Sequence, residues 1–334
     1  MGFITAIYAV AVFCVLIMVH ELGHFFAAKF TGVQVNELSL GMGPLLWKHQ
    51  GKETLYSVRL LPIGGFCSME GEDEESENER AFNRKPVWAR ALIIVAGALM
   101  NVLLAVAILS AIAGFYGVAV PELHDVTEGK PAYQAGIRPG DEIIEVNGEK
   151  VNFFVEVRTL IQMSDDTVDL VVKRDGTKVY ASIPVERGED GLPVIGIEAA
   201  ISHNPLTAIH YGTVATVDMG KSMLGFIGQL FTGKSSVNEL TGPVGIVSAI
   251  GQQAQYGFVY VANLAALISL NLGIMNMLPF PALDGGRLLF IVINGITGKA
   301  VSEELEGKIH FAGMMLLLAL MAYVLLQDVG RLVG

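Results

Sequence analysis

Residues 3–28 read FITAIYAVAVFCVLIMVHELGHFFAA. The stretch is almost wholly apolar except at His20-Glu21-Leu22-Gly23-His24, and it exceeds the roughly 20 apolar residues that a helix needs to cross a bilayer. Ionisable side chains are energetically unfavourable inside a membrane helix, and there they usually mark a functional site. The sequence therefore predicts a membrane protein with a functional site on its first helix.

The spacing within this motif indicates a metal site. Residues four apart on an α-helix share one face, separated by about 40° around the axis and roughly 6 Å along it. The imidazoles of His20 and His24 can therefore bind one zinc ion. Glu21 stands beside a ligand, where it can hold and deprotonate a metal-bound water, as in other H-E-x-x-H hydrolases. The pattern also arises by chance on solvated helices, but the apolar surroundings disfavour that interpretation.

The composition agrees with a membrane protein. Of 334 residues, 52% are hydrophobic and only 16% are charged, with a mean hydropathy of +0.52. The net charge of −11 argues against nucleic acid as a partner. Cys14 and Cys67 are the two cysteines, and Cys14 lies in the first apolar segment, so we predict neither a structural disulfide nor a cysteine-based metal site.

Four segments are predicted to span the bilayer: Phe3–Phe30, Ala91–Val120, Phe258–Leu283 and Phe311–Leu326. A further stretch, Ala208–Phe231, contains three ionisable residues, and its pattern suits an amphipathic helix lying at the membrane surface.

Basic residues in the short loops predict the orientation. The loop between the first two spans and the loop between the last two contain the following: Lys48, Lys52, Arg59, Arg80, Arg84, Lys85 and Arg90, then Lys299 and Lys308. Because such residues concentrate on the cytoplasmic side, we expect both loops in the cytoplasm. Both termini and the long segment between the second and third spans are then extracytoplasmic.

Two regions outside the spans have strand-like patterns. In residues 33–66, alternating apolar residues are interrupted by glycines and prolines, which predicts one or two β-hairpins beside the motif helix. An edge of such a hairpin can pair with an extended peptide, although an ordinary cytoplasmic hairpin fits the pattern equally well. Residues 121–200 contain the turns Asn147-Gly148 and Asp175-Gly176 and a helical stretch near Phe154–Met163, which predicts a separate α+β domain.

A catalytic zinc usually has three protein ligands, and the two histidines supply only two. Asp284 stands out as a third because it ends the third predicted span, after Pro279 and Pro281 and before Gly285-Gly286. The prolines must interrupt helical hydrogen bonding, and the glycines let the backbone approach another element. A helix-capping role for Asp284 is the alternative.

These features together resemble the site-2 protease family of intramembrane zinc metalloproteases, most closely its bacterial RseP-type members. Three signatures carry the resemblance: His20–His24 matches H-E-x-x-H, Gly97–Asn101 matches G-x-x-x-N, and Asn276–Gly286 matches N-x-x-P-x-P-x-L-D-G-G. Residues 135–141, followed by a strand and the Asn147-Gly148 turn, resemble a PDZ domain, and the resemblance covers the domain of residues 121–200. PDZ domains bind peptides by strand addition, although a spacer domain with an empty or blocked groove is the alternative. Some relatives carry two tandem PDZ domains, whereas this chain has room for one.

The resemblance implies Zn²⁺ held by His20, His24 and Asp284, with Glu21 as general base. It also places Asn101 and Asn276 near the site, where they either bind the substrate backbone or form helix–helix hydrogen bonds. The implied activity is cleavage within transmembrane segments of single-span membrane proteins, such as anti-sigma factors and remnant signal peptides. The implied location is the bacterial inner membrane, with the active site toward the cytoplasm.

The predicted fold is a polytopic α-helical membrane protein with about four transmembrane helices, membrane-associated β-hairpins and one extracytoplasmic PDZ-like α+β domain. Its predicted divisions are residues 1–120, with the motif helix, the hairpins and the second span; 121–200, the PDZ domain; 201–257, an amphipathic juxtamembrane linker; and 258–334, the second transmembrane half. Two other functions suit parts of the pattern, namely a zinc transporter and a non-catalytic PDZ scaffold. Glu21 distinguishes the protease from these two alternatives, since neither a transporter nor a scaffold needs a base beside the metal.

Overall fold

The computed structural model describes residues 2–72, 76–188, 191–236, 241–298 and 303–333. It divides into two compact units: the helical unit, residues 1–108 with 215–334, and the β domain, residues 109–214. The described α-helices are α1 Phe3–Thr31, α2 Val87–Tyr116, α3 Pro131–Gln134, α4 Phe154–Gln162, α5 Pro205–Phe231, α6 Pro243–Tyr256, α7 Phe258–Asn276, α8 Asp284–Thr297 and α9 Glu303–Val333. The described strands are β1 Val35–Gln50, β2 Leu55–Met69, β3 Val118–Val126, β4 Glu142–Val146, β5 Glu149–Lys150, β6 Thr167–Arg174, β7 Thr177–Pro184, β8 Glu186–Arg187, β9 Pro193–Val194 and β10 Ile197–Ser202.

Four of these helices are long and apolar enough to cross a membrane: Ile4–Thr31, Val87–Tyr116, Phe258–Asn276 and Glu304–Asp328. The four predicted spans are therefore confirmed, and so is the polytopic helical fold. Large apolar side chains on these helices point outward, such as Phe30 on α1 and Leu326 on α9. This exposure is expected of helices that are surrounded by lipid rather than water.

Two helices end before the approximate limits predicted for their spans. The second span stops at Tyr116 rather than Val120, because Gly117 takes a φ of 83° and the chain continues as β3. The third stops at Asn276 rather than Leu283. The prolines that follow cannot continue a helix, and Asp284 begins a helix of its own, α8.

The region predicted as one or two hairpins is a single long one, formed by β1 and β2. Residues 37–40 of β1 are paired with β2 on both sides, since Leu38, for example, pairs with both Cys67 and Tyr56. This doubly paired part packs against α1 and α2 through a buried apolar cluster: Ala27, Ala28, Val33, Val35, Leu38, Cys67, Met69, Phe82, Ile93, Ile94 and Ile291. Outside this doubly paired part, residues 42–50 of β1 are exposed, and the apolar side chains among them include Leu46 and Trp47.

Glu53 ties the turn of this hairpin to its neighbours. Its carboxylate accepts hydrogen bonds from Lys29 at 2.7 Å and from Arg80 at 2.8 Å. The Lys29 hydrogen bond, with that from Arg80, lowers the pKa of the Glu53 carboxyl to about 2, although partial burial opposes the shift. The turn is therefore fixed to the end of α1.

The stretch predicted as a juxtamembrane linker, residues 201–257, is largely helical. It contains α5 and α6, and α6 belongs to the packed interior of the helical unit, where Ile250 is fully buried beside Ala9 and Val261. Asp328 of α9 accepts hydrogen bonds from the backbone amides of Gly242 and Gly245 and so caps α6. The division at residues 201–257 stays a prediction.

The β domain is built on one antiparallel sheet with strand order β10-β3-β4-β6-β7, to which β5 is added through β4. Helices α3 and α4 complete it, and one apolar cluster forms the core: Leu123, Val126, Ala132, Ile137, Ile143, Val146, Val157, Ile161, Val168, Leu170, Val172, Ile183 and Ile195. Both predicted turns are present, with Asn147 and Asp175 at positive φ. This arrangement of one sheet and two helices agrees with the predicted α+β domain, and β10 lies at an edge of the sheet.

Asp141 organises one end of the β domain. Its buried carboxylate accepts two hydrogen bonds from Arg174, each 2.7 Å long, and one from the Arg138 backbone amide. Burial alone would raise the pKa of this carboxyl, but the hydrogen bonds from Arg174 and Arg138 outweigh it and lower the pKa.

Candidate metal centre

Three predicted ligands, His20, His24 and Asp284, come together in the helical unit. His20 Nε2 lies 3.2 Å from His24 Nε2, and Asp284 Oδ2 lies 3.1 Å from the first and 3.4 Å from the second. They are the residues described by the structure that could together hold a metal ion, and both imidazoles are buried.

These separations fit a tetrahedral zinc ion. Ligand bonds of about 2.0–2.1 Å place neighbouring ligand atoms of a tetrahedron about 3.3 Å apart, and the three distances lie around that value. Three protein ligands leave a fourth position for water, as catalytic zinc sites require. The helix-capping alternative for Asp284 is not needed to explain its position, because its carboxylate faces the two imidazoles.

The α2 helix makes room for both imidazoles. A Cβ atom on Gly97 would lie 2.4 Å from His24 Nε2 and 2.9 Å from His20 Cε1. On the facing helix, a Cβ atom on Gly23 would lie 2.3 Å from the Ala96 backbone oxygen. The two helices therefore approach closely only because both positions are glycine.

The loop between α7 and α8 brings Asp284 to the histidines. Its residue Ala282 has a φ of 76°, and its backbone amide donates to His310 Nδ1 of α9 at 2.9 Å. Gly285 and Gly286 turn directly against the backbone of the same loop, where a Cβ atom on either would clash with carbonyl oxygens. The prolines, the positive φ and the glycines thus fix where α8 begins.

Glu21 occupies the position next to the first ligand and is half-buried. Its side chain lies beside Gly65 of β2, where a Cβ atom would be 3.5 Å from Glu21 Cγ. The β2 backbone near Gly65 therefore runs past the residue predicted to act as base.

Both asparagines also lie at the site. The amide nitrogen of Asn101, Nδ2, lies 3.2 Å from His20 Nδ1, and the amide nitrogen of Asn276 lies 3.4 Å from His20 Nε2. Asn101 is completely buried, whereas Asn276 is partly exposed.

Some contributors had no usable signal in the sequence. His24 Nδ1 donates to the backbone oxygen of Ile93 at 2.9 Å, and a backbone oxygen leaves no mark on residue type. Gly65 of β2 and His310 of α9 likewise lie near the site without a sequence signal for that position. The spacing Gly97-x-x-x-Asn101 does contain a signal, because a glycine one turn before an asparagine on an apolar helix indicates close approach of another helix.

The fold and the site together define a polytopic membrane metalloenzyme. The chain belongs to Peptidase family M50, whose model matches residues 8–320, and the resemblance to site-2 proteases is thereby confirmed.

Two curated relatives match this chain over nearly its whole length, and one solved structure matches about a quarter of it. A Clostridium acetobutylicum protein, provisionally named a zinc metalloprotease, is 37% identical over 333 residues, covering 98% of each chain. The regulator of sigma-W protease RasP of Bacillus subtilis is 31% identical over 416 residues, covering 98% of this chain and 99% of that one. The crystal structure of the PDZ domain of an SdrC-like protein from Listeria innocua is 31% identical, covering 26% of this chain and 99% of that chain, with a TM-score of 0.22.

This protein is therefore an intramembrane zinc metalloendopeptidase. That conclusion replaces both the zinc transporter and the non-catalytic scaffold as interpretations of the sequence.

Proposed function

We propose that this protein cleaves a peptide bond within a transmembrane segment of another protein, using His20, His24 and Asp284 as zinc ligands and Glu21 as general base. The observation that carries the proposal is the convergence of three ligand atoms at 3.1–3.4 Å beside a glutamate. When bound, zinc supplies Lewis acidity, which activates water and the scissile carbonyl group.

The protein groups have separate roles in this proposal. Glu21 removes a proton from the attacking water and later passes it to the leaving nitrogen. Asn276 is partly exposed and lies against His20, so its amide can donate to the substrate backbone. Asn101 shares that predicted role through the family signature, but its complete burial favours a contact within the protein.

A transmembrane helix must be unwound before it is cut, because its amides are otherwise paired internally. The hairpin offers a partner for the unwound segment, since β2 residues 65–69 pair with β1 on one side and pass beside Glu21. Strand addition at this edge would hold the substrate extended at the ion. The hairpin edge is thus the proposed substrate path.

The proposed substrates are single-span membrane proteins, including anti-sigma factors and remnant signal peptides. The name of the Bacillus subtilis relative, a regulator of sigma-W protease, supports the first class. The proposed role of the PDZ-like domain is to restrict access to substrates whose extracytoplasmic part is already small.

The proposed orientation places both termini and the β domain outside the cytoplasm of a bacterial cell. Arg84 and Lys85 precede α2, and Lys308 lies near the start of α9, so cationic residues flank the ends that face inward. Lys299, the other basic residue of the predicted loop between the last two spans, lies outside the described residues. Terminal epitope tags should be digested by protease in right-side-out vesicles and protected in inverted ones.

Glu21→Gln tests the mechanism in the purified full-length protein. We expect cleavage of a model single-span substrate to fall by at least about 10²–10⁴-fold, because proton transfer is lost, while zinc content stays the same. Glu304→Gln is the control, since Glu304 pairs with Lys308 on the surface of α9 and its loss should leave cleavage intact. Normal cleavage by Glu21→Gln would refute the assigned mechanism.

A further inference from the structure

Both imidazoles of the metal centre turn their other ring nitrogen toward one helix, α2. His24 Nδ1 donates to the Ile93 backbone oxygen, and His20 Nδ1 faces the Asn101 amide nitrogen, while the buried Asn101 Oδ1 has no hydrogen-bond partner among the described residues. Ile93, Gly97 and Asn101 are spaced four residues apart, so they form a single line along α2. Gly97 lacks a side chain, which leaves the Ile93 oxygen accessible from the side and makes room for both rings.

We infer that Asn101 is a positioning residue, whose amide oxygen accepts a hydrogen bond from His20 Nδ1 and so leaves His20 Nε2 a lone pair for zinc. The inference rests on the ligand set proposed above. Nε2 is the ligand atom in question because it lies 3.1 Å from Asp284 Oδ2.

The protonation state of the His20 imidazole decides whether the nitrogen or the oxygen of the Asn101 amide faces Nδ1. An asparagine can present either its nitrogen or its oxygen. With the nitrogen toward the ring, Nδ1 must accept, and Nε2 then carries the proton and cannot bind a metal. With the oxygen toward the ring, Nδ1 donates, as it does in His24, and Nε2 is available. Zinc ligation by His20 therefore requires the second arrangement.

The surroundings hold Asn101 in place and keep it from a substrate. Ser269 of α7 donates to the Asn101 backbone oxygen at 2.8 Å, and both residues are fully buried. A Cβ atom on Gly273 would lie 3.4 Å from Asn101 Cβ, so α7 packs directly over this residue. A buried amide already engaged with a ligand cannot also bind a substrate backbone.

Equilibrium zinc affinity of the full-length protein, measured by competition with a chelator, tests this inference. Asn101→Leu removes the amide at similar volume and should weaken zinc binding about 10–100-fold, the usual effect of losing an outer partner of a ligand. Asn101→Asp keeps an acceptor opposite Nδ1 and should bind zinc nearly as well as the unsubstituted protein. With Co²⁺ in place of zinc, Asn101→Asp should also keep the visible absorption of a tetrahedral site.

Ser269→Ala is the matched control, because it removes a hydrogen bond to the Asn101 backbone but leaves the amide beside the ring. Its zinc affinity should be unchanged. If the leucine variant does not fold, Asn101→Ala takes its place with the same expected loss. Unchanged zinc affinity together with a raised KM for substrate would overturn the inference and return Asn101 to substrate binding.

His20→Ala separates this inference from the proposed function. If His20→Ala binds zinc normally, the ligand set itself is wrong. If His20→Ala loses zinc while Asn101→Leu binds it as tightly as the unsubstituted protein, only the role of Asn101 is refuted.

Discussion

At the scale of the residue, Gly97 is where helix packing and metal ligation depend on the same position. Gly97→Ala adds a methyl group that would lie 2.4 Å from His24 Nε2, well inside contact distance, so the imidazole must move. We expect zinc affinity to fall by at least about tenfold, and cleavage with it, because a displaced ligand weakens the site. Chelator competition and a cleavage assay measure the two effects.

Gly114→Ala is the control on the same helix. A Cβ atom there would meet Ala208 Cβ at 3.7 Å, which is ordinary contact. Helix propensity favours alanine over glycine by roughly 0.5–1 kcal/mol, so this variant should fold and bind zinc normally. Equal loss of zinc in both variants would mean that α2 is sensitive to any added methyl group, and that Gly97 has no special place at the site.

At the scale of the element, the apolar runs predicted the four spans because lipid demands the same residues all around a helix. The helix ends were harder, since α2 and β3 are both apolar across Tyr116 to Val120 and differ only at Gly117. The grouping of His20, His24 and Asp284 was predictable because imidazole and carboxylate are rare inside membrane segments. The Ile93 oxygen was not, since backbone atoms are the same at every residue.

Asp141, in the loop before β4, forms an ion pair with Arg174. We expect this pair to make the stability of the β domain sensitive to acid. The lowered pKa of Asp141 means that its contribution to folding is complete above the ordinary value of about 3.9 and is lost as the pH falls below it, through the folded-state pKa. Asp141→Asn should cost about 2–3 kcal/mol at neutral pH and should flatten this dependence. Urea-dependent hydrogen exchange of the β6 amides at pH 7 and pH 3 measures the loss of stability and its dependence on pH.

The neighbouring residue provides the comparison. Glu142 pairs with Lys173 at 3.7 Å, with both side chains half-exposed, so Glu142→Gln should change stability by less than about 1 kcal/mol. A destabilisation by Glu142→Gln as large as that by Asp141→Asn would show that buried pairing is not the cause.

At the scale of the whole molecule, the proposed zinc ion would join α1 to α8, so we expect metal removal to act on the helical unit alone. Zinc at one hundred times its Kd contributes about 2.7 kcal/mol to stability. Chelation should therefore lower the Tm of the helical unit and speed hydrogen exchange at residues 277–288, while β4 and β6 keep their protection. Added zinc should reverse the change, and His20→Ala should no longer respond to the chelator. Faster exchange throughout the β domain would contradict this view.

His20 and Asp284 lie 264 positions apart in the chain, so a ribosome makes them at very different times. The nascent polypeptide contains both imidazoles early, but it lacks Asp284 until most of the protein has been translated. On the proposed ligand set, a translation product that stops before α8 offers zinc only two side chains. We therefore expect the zinc site to be completed only late in synthesis.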